Sequence, residues 1–281
     1  MIDLHAHSTF SDGSLHPAEL IQLAVRIGLR AVALTDHDST AGLPAFREAA
    51  RAAPDGFTAV PGVELSADVQ PGTMHILGYF IDARRPALQR ALERIRKSRD
   101  ERNERMIEIL RRRGMDLTMA DVRACAGEHV VGRPHIAAAM LAKGCARSKA
   151  DAFQRFLGKG CCAYVDRYRL APADCVRLVR AAGGVAVLAH PLTLRLPPRR
   201  LRAAVRDLAD AGLGGIEVYY PEHTPALRKQ YLTLAEEFDL VVTGGSDYHG
   251  DANPAIRLGT GFGALNVPDD AVDRLRERAE P

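Results

Sequence analysis

The feature that most limits the fold of this chain is a repeated alternation between short apolar runs and helix-like patterns. Amphipathic stretches such as "PAELIQLAVRIG" and "TPALRKQYLTLAEEF" separate the apolar runs. Strands that alternate with helices in this way form a parallel sheet or barrel, so the sequence predicts an α/β protein. The runs that read as strands are "IDLHAH", "AVALTDH", "FTAVPGVEL", "TMHILGYFI", "GVAVLAH", "GIEVYY" and "LVVTGGSD".

The alternation is interrupted once, in the middle of the chain. Between residues 84 and 165 the pattern changes to a long charged helix, "LERIRKSRDERNERMIEILRRRG", followed by further helix and loop. We interpret residues 84–165 as an inserted, mostly helical cap domain, and residues 1–83 with 166–281 as the barrel domain. A chain of 281 residues that is 47% hydrophobic can bury a core of this size.

Composition excludes several classes of protein. A net charge of +3 is too small for a nucleic-acid coat protein, although an anionic substrate could still meet a local basic pocket. Neither a signal peptide nor an apolar run of membrane-spanning length is present, so we expect a cytoplasmic protein without a membrane partner. Five cysteines without a C-x-x-C pair predict reduced thiols.

Side chains of the metal-ligand type cluster at the ends of these runs. His5 and His7 end the first run, Glu64 ends the third, and His75 lies in the fourth. The carboxyl ends of parallel strands form one rim of a barrel, where loops assemble the active site. The full set is His5, His7, Asp12, His37, Glu64, His75, His190, Asp247 and His249.

Imidazole and carboxylate ligands without thiolates suit Mn²⁺, Fe²⁺ or Zn²⁺. Nine such residues are too many for one tetrahedral ion and suit two or three ions, with Glu64 as the natural bridge because a carboxylate has two oxygens. Each histidine taken alone is more typical of a hydrogen-bonded core or surface residue, and for His16 and His129 that explanation suffices. The whole set, however, would be costly to bury without a cation.

The segments "DLHAHSTFSDGS", "ALTDHDST", "PGVELS", "HILGY", "LAHP" and "GGSDYHG" together resemble the polymerase-and-histidinol-phosphatase (PHP) superfamily. The resemblance implies a distorted (β/α)₇ barrel with a trinuclear metal centre, for which Mn²⁺ is the expected ion. It implies that one ion is held by His5, His7, Glu64 and Asp247, a second by Glu64, His75 and His190, and a third by Asp12, His37 and His249.

"GRPHIA" and "YYPEHT" resemble more narrowly the branch of nucleotide phosphatases and RNA exonucleases. That resemblance implies removal of the 3′-phosphate from 3′,5′-bisphosphonucleotides. A 5′–3′ exoribonuclease acting on short RNA, a histidinol-phosphatase-like or other PHP phosphatase, and a C–N amidohydrolase remain alternatives. A non-catalytic PHP domain of a polymerase is the weakest alternative, because all nine ligand-type residues are present and no polymerase sequence is attached. Nothing in the sequence indicates an obligate protein partner.

Three histidines, His190, His223 and His249, could protonate the leaving group. Asp36 and Asp38 could orient imidazoles, or equally could cap the next helix. A charged run such as that around residue 99 is typical of a solvated helix face. Even so, we predict that substrate is bound by Arg99, Asn103, Arg133 and His135, of which Arg133 stands at a predicted helix start and suits a phosphate.

Overall fold

Seven strands form the central sheet of the protein. In the computed structural model, which describes residues 1–126 and 130–279, they follow one another across the sheet in chain order. At and beyond the last residues of the two edge strands, Leu4 N donates to Gly244 O at 3.2 Å and His7 N to Tyr248 O at 2.9 Å, so the sheet closes almost completely. The predicted seven-stranded barrel is confirmed. Its strands are β1 Ile2–Asp3, β2 Ala31–Leu34, β3 Thr58–Ala67, β4 Met74–Tyr79, β5 Val185–Leu188, β6 Gly215–Tyr219 and β7 Val241–Gly244.

Helices fill most of the connections between the strands. Several begin with a proline, whose fixed φ suits a first helical turn. At the first helix, the His16 side chain accepts from Ala18 N, which is the structural role expected for it. Within the described residues the α-helices are α1 Pro17–Arg26, α2 Leu43–Ala50, α3 Pro86–Arg112, α4 Met119–Ala126, α5 Arg133–Ala142, α6 Lys149–Ala152, α7 Pro172–Ala181, α8 Pro198–Asp210, α9 Pro225–Glu237 and α10 Ala271–Arg278.

One strand runs against the others, so the prediction of a wholly parallel sheet is wrong for β4. This strand is antiparallel to both β3 and β5, whereas the remaining neighbours pair in parallel. The connection 68–73 is too short for the crossover that a parallel pair requires, so β3 and β4 form a hairpin. As a result, the amino end of β4, with His75, lies at the same rim as the carboxyl ends of the parallel strands.

Two predicted strand ends also differ. β1 ends at Asp3, so His5 and His7 lie beyond the regular strand, where Ala6 makes only an isolated bridge to Tyr248. Glu64 does not end β3, because this strand continues to Ala67 by pairing with β4.

The chain divides into two compact units. The first, here called the barrel unit, comprises Met1–Arg90 and Arg169–Pro281, and the second, the helical unit, comprises Ala91–Tyr168. The predicted insertion covers residues 84–165, and its role as a cap stays a prediction. His129, assigned to a polar loop, lies outside the described residues.

Each unit has its own apolar core. In the barrel unit, Tyr79 is fully buried and its hydroxyl donates to Leu4 O at 2.7 Å. The barrel core includes Leu4, Val60, Leu77, Val187 and Val241, and the core of the helical unit includes Met106, Leu110, Val122, Ile136 and Met140.

All five cysteines are free thiols. None of the helices in the described parts of the chain is long and apolar enough to span a membrane.

Candidate metal centre

The nine predicted ligand residues come together at one rim of the barrel unit. The His7 ring is tilted against that of His37, with centroids 4.5 Å apart, and stacks on that of His249, with centroids 4.2 Å apart. The His5 ring lies 5.2 Å from His7 and 5.6 Å from His190. Residues from every part of the barrel sequence therefore share one small volume.

Glu64 stands at the centre of this cluster and is fully buried. Its Oε1 lies 2.8 Å from His75 Nδ1 and 3.0 Å from His190 Nε2. Its Oε2 lies 3.3 Å from the Nε2 atoms of both His5 and His7 and 2.9 Å from His37 Nδ1. The two oxygens thus face different sets of imidazoles, which is the arrangement a bridging carboxylate requires.

Three groups of side chains have ligand atoms that all lie within 4.8 Å of one another. The first group has the same four members that the resemblance implied for one ion. The second contains Glu64 and His75 together with His37, and the third adds His7 to its implied members. The groups are His5, His7, Glu64 and Asp247; His37, Glu64 and His75; and His7, Asp12, His37 and His249.

A cation suits this donor set because many of its atoms have no other partner. Buried polar atoms are normally hydrogen-bonded, and leaving them unpaired is costly. Divalent ions would satisfy several unpaired nitrogens and oxygens at once, and the mixture of imidazole and carboxylate suits Mn²⁺, Fe²⁺ or Zn²⁺. The buried atoms without a hydrogen-bond partner include His5 Nε2, His7 Nε2, Asp12 Oδ1, His37 Nδ1, Glu64 Oε2 and His75 Nδ1.

The charges in the cluster are strongly coupled. Burial raises the pKa of Glu64, but the imidazoles of His37 and His75 outweigh this effect and hold the pKa well below its usual range. Burial lowers the pKa of His7, but the carboxylates of Asp247 and Glu64 raise it to about 10. Ionised carboxylates therefore lie against positive charge at this rim, and cations that bind there compete with protons for the imidazoles.

Glu217 is a buried carboxylate beside the candidate metal centre that the sequence did not single out. It is fully buried in β6, and its Oε1 accepts from His5 Nδ1 at 3.0 Å while its Oε2 accepts from His190 N at 2.7 Å. A carboxylate can only accept, so the Nδ1 of His5 carries the proton and its Nε2 is available toward Glu64. Glu217 thereby fixes one imidazole and the backbone of another.

Other side chains orient the remaining imidazoles. His249 Nδ1 donates to Asp247 O at 2.8 Å, and His190 Nδ1 lies 3.0 Å from Thr193 Oγ1. Asp36 accepts from Ser11 Oγ at 2.6 Å, and that hydroxyl lies 3.4 Å from His7 Nδ1. The predicted orienting role of Asp36 is therefore indirect, through Ser11.

Neither aspartate after β2 caps the next helix. The N-cap of α2 is Gly42, so the alternative of helix capping by Asp36 or Asp38 is wrong. Asp38 instead accepts from Ser66 N at 2.9 Å and from Ser66 Oγ at 3.1 Å, which ties β3 to the loop that carries His37.

Two of the candidate ligands have an unusual backbone conformation. His190 and Asp247 have φ values of 22° and 55°, in a region that side-chain-bearing residues rarely occupy. Such conformations persist where the surroundings hold them and are common at functional sites. Here they turn two of the candidate ligands toward the cluster.

His223 lies apart from the nine candidate ligands. It is 3% exposed, its Nδ1 donates to Val218 O at 2.9 Å, and its ring packs against Tyr220 and Tyr231. Burial lowers its pKa, and its Nε2 has no hydrogen-bond partner. The proton-transfer role assigned to it stays a prediction.

The four predicted substrate-binding residues lie in the helical unit, around the start of α5. Asn103 Nδ2 donates to Val131 O at 2.8 Å, and Arg133 Nη1 donates to Leu157 O at 3.3 Å. His135 Nδ1 accepts from Gly132 N at 3.0 Å. Arg99 is only 8% exposed, so the solvated helix face considered for it is wrong. Binding of substrate by these residues stays a prediction.

Comparison with known proteins decides the family. A family model described as the PHP domain matches residues 3–139. The 5′-3′ exoribonuclease Rnm of Salmonella typhimurium is 33% identical over 257 residues, which cover 92% of this chain and 87% of that protein. The chain belongs to the PHP family.

Two further likenesses extend over nearly the whole PHP protein. A 3′,5′-nucleoside bisphosphate phosphatase of Chromobacterium violaceum is 34% identical over 249 residues, covering 88% of this chain and 87% of that protein. A solved structure from Bifidobacterium adolescentis, described as a metal-dependent phosphoesterase, has a TM-score of 0.87 and 33% identity, covering 100% of this chain and 96% of that chain. The protein is accordingly a metal-dependent hydrolase of phosphoesters.

Proposed function

We propose that this PHP protein hydrolyses the 3′-phosphate of 3′,5′-bisphosphonucleotides, such as adenosine 3′,5′-bisphosphate, to give the 5′-nucleotide and phosphate. The observation that carries the hydrolytic part is Glu64, whose two oxygens face two sets of imidazoles. The choice of substrate is supported by the likeness to the phosphatase from Chromobacterium violaceum.

The rim residues would hold up to three divalent ions, which we propose to be Mn²⁺, with Fe²⁺ or Zn²⁺ as alternatives. The first ion would take His5, His7, Glu64 and Asp247, the second Glu64, His75 and His190, and the third Asp12, His37 and His249. When bound, such ions polarise the phosphoryl group and make water more acidic.

This chain's own residues would orient the reacting groups and move protons. Glu217 keeps the Nε2 of His5 directed at Glu64, and Tyr220 donates its hydroxyl to Asp247 Oδ2 at 3.3 Å. The predicted proton donors are His190, His223 and His249. Both ring nitrogens of His190 contact other side chains, and those of His249 contact Asp247 O and Asp12, so each would have to release a contact to donate.

Substrate recognition is proposed for Arg99, Asn103, Arg133 and His135. The guanidinium of an arginine can form charge-assisted hydrogen bonds with a phosphate. We propose that it binds the 5′-phosphate of the substrate, which is not cleaved. No obligate protein partner is proposed, and a cytoplasmic location stays a prediction.

A second candidate is 5′–3′ exoribonuclease activity on short RNA. It is supported by the likeness to the exoribonuclease of Salmonella typhimurium, which covers 92% of this chain, against 88% for the likeness to the phosphatase. The chemistry at the rim would be the same for both substrates.

A substrate panel tests the proposal. Purified protein with added Mn²⁺ is given adenosine 3′,5′-bisphosphate, adenosine 5′-monophosphate, histidinol phosphate and a 5′-phosphorylated RNA decamer, and phosphate and mononucleotide release are measured. We expect the highest kcat/KM for the bisphosphonucleotide. A higher value for the decamer would favour the exoribonuclease, and hydrolysis of none of the four would overturn both candidates.

A further inference from the structure

A strongly basic segment follows the histidine of β5. Residues 191–206, "PLTLRLPPRRLRAAVR", contain five arginines and no acidic residue. Arg195, Arg199 and Arg200 are all exposed, and they make no ion pair with any described residue. Three positive charges therefore stand together in water without a neutralising partner in the described chain.

Some exposed arginines of the barrel unit pair with a carboxylate, and others, such as Arg26 and Arg206, pair with no described residue. What distinguishes Arg195, Arg199 and Arg200 is that three arginines without an ion pair in the described chain lie within six residues. Arg51 pairs with Glu48, Arg177 with Asp174, and Arg202, in the same helix as Arg199, pairs with Glu237. Uncompensated like charges repel one another, so keeping three of them within six residues costs stability. A polyanion bound to the surface would remove that cost.

The segment is also close to the candidate metal centre. His190 immediately precedes a 3₁₀ helix, Pro191–Leu194, and Arg195 follows it with a φ of 53°. At a rise of about 2 Å per residue, the Cα atoms of His190 and Arg195 are about 10 Å apart. Thr193 fixes this connection, because its Oγ1 lies 3.0 Å from His190 Nδ1 and donates to Thr73 O at 2.9 Å.

Two prolines hold the arginines in place. Pro197 is the N-cap of α8 and Pro198 its first residue, so the backbone between Arg195 and Arg199 has few accessible conformations. A surface that is rigid before binding loses less conformational entropy when a ligand binds.

We propose that Arg195, Arg199 and Arg200, here called the arginine surface, bind the phosphodiester backbone of a single-stranded RNA whose terminal nucleotide occupies the metal centre. Guanidinium groups suit phosphate oxygens, and backbone contacts of this kind do not depend on sequence. This inference rests on the proposed function and specifies that the same site accepts substrates longer than a mononucleotide.

The test compares two triple variants of the full chain. The first, Arg195→Gln, Arg199→Gln and Arg200→Gln, removes the arginine surface. The control, Arg26→Gln, Arg51→Gln and Arg206→Gln, removes three charges from other exposed positions of the barrel unit. Binding of a labelled, 5′-phosphorylated 2′-O-methyl RNA decamer is measured by fluorescence anisotropy at several salt concentrations, separately from turnover.

We expect the first variant to bind the decamer at least tenfold more weakly than the wild type, and the control less than threefold more weakly. Each lost phosphate contact reduces the slope of log affinity against log salt by about 0.7 for a single strand, so the slope should fall by about 2. The ratio of kcat/KM for an RNA decamer to that for adenosine 3′,5′-bisphosphate should also fall at least tenfold in the first variant only.

Equal weakening in both variants would overturn the proposal, because it would reflect net charge alone. A wild-type protein that does not bind the decamer would overturn it as well. The anisotropy result does not depend on turnover, so failure of the hydrolytic function in the substrate panel can be told apart from failure of the arginine surface.

Discussion

The barrel unit and the helical unit both bury polar side chains, but the two units treat them differently. In the helical unit, Asn103 Nδ2 and His135 Nδ1 bond to backbone groups of residues 131 and 132 at the start of α5. Asn103 Oδ1 has no hydrogen-bond partner in the described chain, and it lies in no cluster of metal-ligand type there. In the barrel unit, buried imidazoles and carboxylates converge with one another, and several ligand-type atoms have no hydrogen-bond partner. Among the described residues, all three groups with metal-ligand geometry lie in the barrel unit.

This difference separates two uses of buried polar groups. A side chain that bonds to a nearby backbone group satisfies a local helix end and stabilises the fold around it. Side chains that converge without partners are costly to bury, and the cost is recovered only when a ligand binds. The contrast leads us to expect that substitutions at the barrel rim alter metal content, whereas those in the helical unit do not.

The largest effect is expected for Glu64→Gln. An amide cannot supply the anionic bridge between the two sets of imidazoles, and the paired cations would repel one another with less compensation. We expect metal content and kcat/KM to fall together, the latter by more than about a hundredfold, beyond the range for groups that only orient a ligand. Elemental analysis and turnover check this expectation.

The matched control for that variant is Glu48→Gln, which changes a glutamate that is 70% exposed. It should retain wild-type metal content and turnover. Normal metal content and normal turnover in Glu64→Gln would contradict the assignment of the whole centre.

A smaller effect is expected for Glu217→Gln. The amide can still accept at one oxygen, but its NH₂ group would face either His5 Nδ1–H or the His190 N–H, and two donors repel. Loss of such an orienting group costs about 10–100-fold in metal affinity or activity. A metal titration of the variant, with Glu236→Gln as an exposed control, measures the loss.

A structural role alone would give a different result for Glu217. If Glu217→Gln lowered thermal stability but the folded variant bound metal with wild-type affinity, the proposal that Glu217 orients His5 for metal binding would be wrong.

The convergence of the nine candidate ligands could be predicted because their pattern is local. A histidine or carboxylate at the end of an apolar run can be recognised from the sequence alone. Because the carboxyl ends of parallel strands meet at one rim, such residues are expected to lie together. Glu217 was missed because it lies inside the run "GIEVYY", where it was treated as part of a strand. The available signal was the high cost of burying a carboxylate in such a run without a partner.

The direction of β4 could not be read from periodicity, because alternation of side chains is the same in parallel and antiparallel strands. The only signal was the short connection 68–73, which excludes a crossover. Nor could the charged run of α3 indicate that Arg99 is buried, since burial there depends on contacts distant in sequence.

An effect confined to one part of the centre is expected for Asp12→Ala. Asp12 Oδ1 lies 3.2 Å from His249 Nε2, and Asp12 Oδ2 lies 3.9 Å from His37 Nε2. The group of candidate ligands that contains Asp12 does not contain Glu64. We therefore expect the loss of about one equivalent of bound metal, with the other equivalents retained, and a loss of activity of about tenfold or more. Equal depletion of every ion, measured by elemental analysis, would contradict a separate third position.

The smallest effect is expected for Arg133→Ala in the helical unit. The sequence hypothesis is that its guanidinium binds the phosphate that is not cleaved. Losing one charge-assisted contact should then lower kcat/KM for adenosine 3′,5′-bisphosphate by about tenfold, or ~1.4 kcal/mol. Metal content should not change, which is the expected contrast with the rim variants. A generic aryl phosphate, which has no second phosphate, should be hydrolysed as by the wild type.

The structure also allows Arg133 to have a packing role instead of a substrate-binding role, and the same variant distinguishes the two. Arg133 donates to Leu157 O and lies 5.8 Å from the Phe153 ring and 5.6 Å from the Tyr164 ring, so its removal could loosen the helical unit. In that case both substrates would be affected equally and the melting temperature would fall. Arg133→Lys distinguishes the two explanations further. The lysine ammonium still attracts a phosphate, but it cannot make the paired hydrogen bonds of the planar guanidinium. Partial recovery with the bisphosphonucleotide alone would support phosphate binding, whereas equal losses with both substrates would assign Arg133 to the packing of the helical unit.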